Sequence, residues 1–227
     1  MSQFKKMSQK YLVKKALVAF RNMVRNYDAS VTNEEYFSIV DAITDHPTGL
    51  MLVEDICDSR DLEAMKHVRS RTGRLDLSKP LKDIFRVLWN NASTRGKSMA
   101  ILMAICDKAI RDVGRIERND FANKRFAVVR HAFGLSSLES EIMVVAYVST
   151  HTCFCWPTQL LPDEQPVLYA MATNHSFDEV APLLSANSRL RKCGVLNDDL
   201  EFNEERFGGF IRGVESGFEK ESPALLM

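Results

Sequence analysis

The stretch from Asn91 to Ser98 is the part of the sequence most similar to a phosphate-binding loop. Such loops have the form G-x-x-x-x-G-K-[ST], in which glycines let backbone amides approach the phosphates and the lysine reaches the terminal ones. Gly96, Lys97 and Ser98 match the end of this pattern, but Asn91 stands where the first glycine belongs. No predicted strand further along ends in a metal-binding pair of aspartates. The pattern therefore favours a positively charged helical turn, or a loop between two helices, over a nucleotide-binding site.

A second candidate is a cluster of metal-ligand residue types, which could supply two or three ligands to zinc: His151, Cys153 and Cys155, with Cys193 or His175 from elsewhere. Structural zinc sites usually have paired C-x-x-C ligands or a spaced pair of histidines, so C-x-C with one nearby histidine is poor spacing. A buried aromatic loop is the favoured interpretation. We expect no bound metal and no other cofactor.

The histidines do not form a catalytic set with a nucleophile. They lie in separate predicted elements, and no serine occupies a G-x-S-x-G turn. The residues concerned are His46, His67, His131, His151 and His175. We therefore assign no catalytic residue and expect no enzymatic activity from this chain by itself.

The length and composition are typical of a globular protein. The 227 residues make one large or two small domains. A composition of 45% hydrophobic and 26% charged residues excludes the disordered and collagen-like classes.

No run approaches the roughly 18 apolar residues of a membrane-spanning helix. The N-terminus lacks the apolar stretch and cleavage site of a secretory signal, and the 5 cysteines are irregularly spaced, as expected for reduced thiols. The sequence predicts a cytoplasmic protein with no membrane span.

The formal net charge of 0 conceals an uneven distribution. Residues 1–123 carry 21 basic and 16 acidic side chains, a net charge of +5, whereas residues 124–227 carry 9 and 14, a net charge of −5. Most of the basic excess lies in residues 1–27, whose apolar positions recur at steps of three and four, as in an amphipathic helix. Its lysines are candidate contacts for an anionic membrane, nucleic acid or partner: Lys5, Lys6, Lys10, Lys14 and Lys15. The favoured alternative is a docked helix with a solvated basic face.

The pattern of residues 1–115 predicts an all-α bundle of five or six helices. A capping box at Thr32 to Glu35 begins one helix, which the turn at His46 to Gly49 should end. Another helix should run to about Trp89, followed by a loop from Asn90 to Gly96 and a helix from Lys97 to about Val113. Almost nothing alternates with period two, so no strand is expected here.

Residues 120–215 have the element order of a winged-helix-like domain: helix, tight turn, helix and hairpin. Capping boxes at Ser136 to Glu139 and Ser176 to Glu179 begin two of the helices. Apolar pieces flank the turn-forming Asn197 to Asp199 and suit a small β-hairpin, the wing. The predicted helices cover 137–148, 166–173 and 177–192, and the wing covers 194–203. The predicted fold is thus mainly α, with an N-terminal helical bundle (1–115), a winged-helix-like domain with one small β-hairpin (120–215) and a loose tail (216–227).

A recognition helix over 177–192 would contact DNA through its exposed polar face. The basic candidates on it are Arg189, Arg191 and Lys192, all near its end. Its first turns hold Asp178 and Glu179, which repel phosphates, and a net charge of −5 over residues 124–227 suits a DNA binder poorly. A protein-interaction or structural role is favoured, with DNA binding as the alternative.

Four short motifs in the second half form a series: Phe133 to Val145, Phe177 to Val180, Ser185 to Leu196 and Phe207 to Gly213. The series resembles the region preceding the ATPase module in a group of prokaryotic AAA-type ATPases, and the resemblance covers about residues 125–215. It implies a helical N-terminal region and a winged-helix-like segment before a nucleotide-binding core. In that family the phosphate loop and the acidic Walker B strand lie downstream of the matching segment, so no ATP-binding residue is carried over. The chain is either the N-terminal piece of a longer ATPase or a relative that lacks the motor.

The resemblance implies a non-catalytic interaction or regulatory region of an AAA-type ATPase, which mediates protein–protein contacts. The main alternative is a winged-helix DNA-binding regulator, and a weaker third is a phosphate-loop enzyme that uses Lys97 and Ser98. The expected partner is another protein or the ATPase module itself, with nucleic acid and self-association as open alternatives.

Overall fold

In a computed structural model of the chain, the described residues are mainly helical and contain no β-strand. They are residues 10–26, 40–56, 79–90, 92–115, 120–151 and 164–214. The prediction of a mainly α fold is therefore confirmed for this part of the chain. Several predicted features lie outside the described residues: Lys5, Lys6, the capping box at Thr32 to Glu35, Cys153, Cys155 and the tail at 216–227.

The described helices before residue 115 are α1 (Lys10–Arg25), α2 (Val40–Ile43), α3 (His46–Ile56), α4 (Leu81–Asn90) and α5 (Ala92–Val113). Those after it are α6 (Phe121–Ala132), α7 (Ser137–His151), α8 (Gln165–Thr173), α9 (Phe177–Leu184), α10 (Arg189–Lys192) and α11 (Gly209–Arg212). A π-helical turn, Glu204–Gly208, leads directly into α11.

Helix α1 is the central element, because it packs against α5 and also against α6, α7 and α8. Its apolar residues recur every three or four positions, and more than half of its 16 residues are buried, among them Ala16, Leu17, Phe20 and Val24. The interpretation as a docked helix is therefore confirmed for Lys10–Arg25.

Polar side chains on α1 fasten it to both halves of the structure. Arg21 Nε lies 2.6 Å from Asp107 Oδ1 on α5. Asn22 Nδ2 donates to the carbonyl of Ala172 at 2.9 Å, and Asn26 Nδ2 donates to that of Met171 at 3.2 Å. These carbonyls lie at the C-terminal end of α8, where helix geometry leaves them without intrahelical donors. Asn22 thus supplies a hydrogen bond that α8 cannot make for itself, and Asn26 adds a second donor to the Met171 carbonyl, which also accepts from the Asn174 amide at 3.2 Å.

Helix α5 begins at Ala92, so the predicted loop up to Gly96 is wrong. Thr94 Oγ1 donates to the carbonyl of Leu88 at 2.6 Å, and Arg95 Nε donates to that of Trp89 at 2.9 Å. These bonds satisfy carbonyls at the end of α4 from the first turn of α5. A longer connection is not needed, because the second helix itself caps the first.

The predicted turn at His46 to Gly49 is also wrong, because α3 begins there. Asp45 acts as its cap: Oδ1 accepts from the Thr48 amide at 2.9 Å, and Oδ2 accepts from the Thr48 hydroxyl at 2.8 Å. These bonds hold the pKa of Asp45 below its ordinary value. Pro47 fits the first turn because that turn has no acceptor for an amide hydrogen.

Two predicted capping boxes in the second half are confirmed. The Ser136 amide donates to Glu139 Oε2 at 2.8 Å, and the Glu139 amide donates to Ser136 Oγ at 3.1 Å. Ser176 and Glu179 form the same reciprocal pair at the start of α9. Each box satisfies free amides of a first helical turn, which fixes where α7 and α9 begin.

The predicted single helix over 177–192 is wrong, because α9 ends at Leu184 and α10 begins only at Arg189. Ser185 is extended, with φ −61° and ψ 155°. Ser188 then caps α10, since its Oγ accepts from the Arg191 amide at 3.3 Å. Pro182, inside α9, offers no amide hydrogen to the helix and weakens its last turn.

The segment 194–203 contains one antiparallel bridge, between Leu196 and Phe202. Leu200 within it has a φ of 60°, and the hydroxyl of the buried Tyr169 donates to its carbonyl at 2.6 Å. A single bridge is not a strand ladder, so the hairpin and the winged-helix assignment stay predictions. The segment is nevertheless anchored to α8 through this hydrogen bond.

Buried hydrophobic side chains from both halves belong to one cluster, which α1 helps to form. The domain boundaries at 115 and 120 stay a prediction. No described helix is long and apolar enough to cross a membrane.

Candidate functional site

The lysines of α1 differ in their surroundings. Lys10 is exposed, whereas Lys14 is half-buried and its Nζ donates to the Gly114 carbonyl at 3.0 Å. Lys15 Nζ lies 5.6 Å from the centre of the Tyr11 ring. The ammonium of Lys14 is therefore committed to the backbone after α5, whereas Lys10 and Arg25 at the two ends of this helix are exposed.

The two arginines proposed to contact DNA are engaged within the molecule. Arg189 donates to the carbonyl of Gly134 and lies 3.9 Å from the Glu139 carboxylate. Arg191 pairs with Asp198 at 2.5 Å. Lys192, the third proposed contact, is exposed. The arginines thus connect α10 to the start of α7 and to the segment 194–203.

The exposed face of α9 combines an aromatic ring with carboxylates. Phe177 is 49% exposed, although it is a large apolar residue. Asp178, Glu179 and Pro182 on the same helix are also exposed. Hydrogen bonds from the backbone and hydroxyl of Ser176 hold the pKa of Glu179 below its ordinary value, so this carboxylate is ionised at neutral pH. The face is therefore apolar and acidic.

A groove of about 360 Å³ lies between α1, α7 and the C-terminal end of α8. Its apolar lining consists of small side chains, which leave space between the three helices: Val18, Ala19, Val144, Val145 and Ala172. This volume is within the range of about 300–1,000 Å³ that is typical of small-ligand sites.

Charged and titratable side chains also line this groove. His175 Nε2 lies 3.8 Å from Glu141 Oε2, and its Nδ1 lies 3.7 Å from Glu179 Oε2, distances too long for hydrogen bonds. Lys15 lines the groove from α1. Burial raises the pKa of the neighbouring Tyr11 to about 12, and the Glu141 carboxylate adds to that rise. In the sequence, Lys15 stands out only by its charge, and nothing there indicates that Glu141 and His175 line the same groove.

A second polar cluster joins the end of α7 to the π-helical turn. His151 Nε2 lies 2.9 Å from Glu204 Oε2, and its ring stacks on Tyr147 with 4.2 Å between ring centres. Arg212 pairs with the same carboxylate. Burial raises the pKa of Tyr147 to about 12, and hydrogen bonding to Glu204 raises that of Arg212. A histidine paired with a carboxylate can take part in proton transfer. Here the contact between His151 and Glu204 joins the end of α7 to the π-helical turn.

The residues of the proposed phosphate loop do not form a loop. Gly96, Lys97 and Ser98 all lie inside α5, and Ser98 is fully buried. Backbone amides inside a helix are already hydrogen-bonded and cannot cradle a phosphate. Within the described ranges, the groove and the exposed face of α9 therefore offer better candidate sites than this segment.

The zinc hypothesis depends on Cys153 and Cys155, which lie outside the described residues. His151 contacts Tyr147 and Glu204, as described above. Within the described ranges, no three histidine, cysteine, aspartate or glutamate side chains are grouped as metal ligands would be.

Comparison of the chain with protein-family models, curated proteins and solved structures found no match.

Proposed function

We propose that this chain is a non-catalytic protein-interaction region whose docking surface is the exposed face of α9. The observation that carries the proposal is the half-exposed Phe177 ring in the first turn of α9, which also carries the exposed carboxylates of Asp178 and Glu179. The resemblance to the region preceding an AAA-type ATPase module supports the same role, with that module or a protein substrate as the partner.

A polyanionic partner fits this surface poorly. Phosphate contacts supply most non-specific affinity for nucleic acids, and they require free arginines and lysines. Arg189 and Arg191 instead hold Gly134 and Asp198. The first turn of α9 carries two carboxylates, which would repel a phosphate backbone.

A partner protein with an apolar pocket and basic side chains would complement the exposed face of α9 better. Aromatic residues are enriched at the centres of protein interfaces, and truncating one commonly removes a large share of the binding free energy. Phe177 would fill the pocket, and Asp178 would pair with a basic side chain of the partner. The pairing of charges would set orientation and association rate more than affinity.

The test places a photo-crosslinking phenylalanine analogue at position 177 in cells. The matched control carries it at Met51, which is 64% exposed and lies on α3. We expect one protein to be cross-linked from position 177 and not from position 51. Binding of that purified protein should then weaken about 10-fold or more with Phe177→Ser, and should be unchanged with Met51→Ser.

Two outcomes contradict the proposal. One is the same cross-linking pattern from both positions, or affinity that Phe177→Ser leaves unchanged in a variant with normal circular dichroism. The other is retention of double-stranded DNA at about 50 mM salt that weakens steeply as salt rises, which would favour the DNA-binding alternative.

A further inference from the structure

The groove between α1, α7 and α8 carries charges of both signs that the protein itself compensates weakly. Lys15 makes no ion pair with another residue in the described ranges, and its ammonium lies 5.6 Å from the centre of the Tyr11 ring. The Glu141 carboxylate lies 3.8 Å from the His175 ring, too far for a hydrogen bond. A cation from α1 and an anion from α7 therefore line the same space.

Amide groups at the end of the groove have spare hydrogen-bonding capacity. Asn22 uses its Nδ2 for the Ala172 carbonyl, which leaves its Oδ1 as an acceptor. Asn174 accepts from Asn26 through its Oδ1, which leaves its Nδ2 as a donor. Both residues line the groove. A polar ligand would thus find a neutral donor and a neutral acceptor as well as the two charges.

The sign of these charges narrows the class of ligand. A simple anion would be attracted by Lys15 and repelled by Glu141, and a simple cation would meet the reverse. A neutral apolar molecule would cover the valines and alanines but would leave both charges desolvated, which is costly. Only a molecule with separate positive and negative groups and an apolar body matches all of the lining.

We propose that this groove binds a small zwitterion with an aliphatic body, of the class of free amino acids and dipeptides. Lys15 holds its carboxylate, Glu141 holds its ammonium, and Val18, Val144 and Val145 contact its side chain. The proposal does not rest on the docking face of α9, so either can fail without the other.

The first test measures binding of four probes to the full chain by calorimetry. Leucine and the dipeptide Leu-Leu carry both charges, N-acetyl-leucine keeps only the carboxylate, and leucinamide keeps only the ammonium. We expect a zwitterion to bind with a Kd below about 1 mM and each blocked analogue to bind at least about 10-fold more weakly. The tighter binder of the two, leucine or Leu-Leu, shows whether the ligand is a free amino acid or a dipeptide. If neither zwitterion binds, or if a blocked analogue binds as tightly, the proposal is overturned.

The second test neutralises each charge in turn. Glu141→Gln and Lys15→Met should each weaken zwitterion binding about 10-fold or more, and Glu141→Gln should also remove the discrimination against N-acetyl-leucine. The control, Lys10→Met, changes an exposed lysine of the same helix outside the groove and should leave binding unchanged. Unaltered affinity in both groove variants would contradict the proposal. If one variant fails to fold, the other variant and the blocked analogues on the native chain still decide it.

Discussion

At the scale of single residues, the raised pKa values of Tyr11 and Tyr147, two of the buried tyrosines, predict that the fold is sensitive to alkaline pH. Tyr11 and Tyr147 both pack on Phe126, with ring centres 6.1 Å and 5.3 Å from it. Tyr11 is 9% exposed and Tyr147 is 2% exposed. Burial raises the pKa of each hydroxyl from 10.0 to about 12.

A raised pKa in the folded state means that the unfolded chain loses these protons first. The stability that depends on them is present below pH 10.0 and is lost as the pH rises toward about 12. Each tyrosine contributes up to about 1.4 kcal/mol per pH unit in this window. We expect Tyr11→Phe to make the fall in the free energy of unfolding shallower, measured by urea denaturation at several pH values from neutral to alkaline. An unchanged slope would show that Tyr11 titrates normally in the folded protein.

The groups of the candidate sites could be recognised one at a time in the sequence but not as sets. Lys15 stood out because it belongs to a run of bases without acids. Glu141 on α7 and His175 in the turn between α8 and α9 line the same groove but come from far along the chain, and only helix packing brings them together. His151 and Glu204 likewise meet only because α7 and the π-helical turn are in contact. No local spacing rule contains such information.

At the scale of elements, local hydrogen bonds explain which boundaries could be predicted. Ser136 and Ser176 cap helices with glutamates three residues later, and both ends of such a bond are visible in the sequence. The start of α5 was not predictable in this way, because Thr94 and Arg95 bond to carbonyls of the preceding helix. Those acceptors are set by how α4 and α5 cross.

The break between α9 and α10 is only partly visible in the sequence. Pro182 and Ser188 both signal it, but the apolar positions on either side keep a helical period and suggest one continuous helix. Ser188 decides the outcome, because its hydroxyl offers the Arg191 amide a local acceptor. That bond starts a new helix at Arg189.

Ser188→Ala should therefore destabilise the protein by about 1 kcal/mol, through loss of the cap on α10. The matched control is Asn187→Ala, one residue earlier and exposed, which should leave stability nearly unchanged. Chemical denaturation of both variants checks this expectation. Equal losses would mean that the cap bond contributes nothing and that the break has another cause.

At the scale of the whole molecule, the charge asymmetry and the packing of α1 bear on how the halves are coupled. The sequence divides into a part of net charge +5 and a part of net charge −5. Helix α1 belongs to the first part by sequence, yet it packs against α7 and α8 of the second. Asn22 and Asn26 also complete the hydrogen bonding of α8. Removing α1 would thus expose apolar surface in both parts.

We therefore expect the two halves to unfold as one cooperative unit. Leu88 is fully buried on α4, which belongs to the first half, and Leu88→Ala should cost about 2–5 kcal/mol. If unfolding is global, the most protected amides of α8 should lose the same free energy of protection as those of α5. Hydrogen exchange followed by mass spectrometry measures both, with Lys82→Ala, an exposed change on the same helix, as the control. Unchanged protection in α8 would instead mean that the halves unfold independently, as the predicted boundary at residues 115–120 would require.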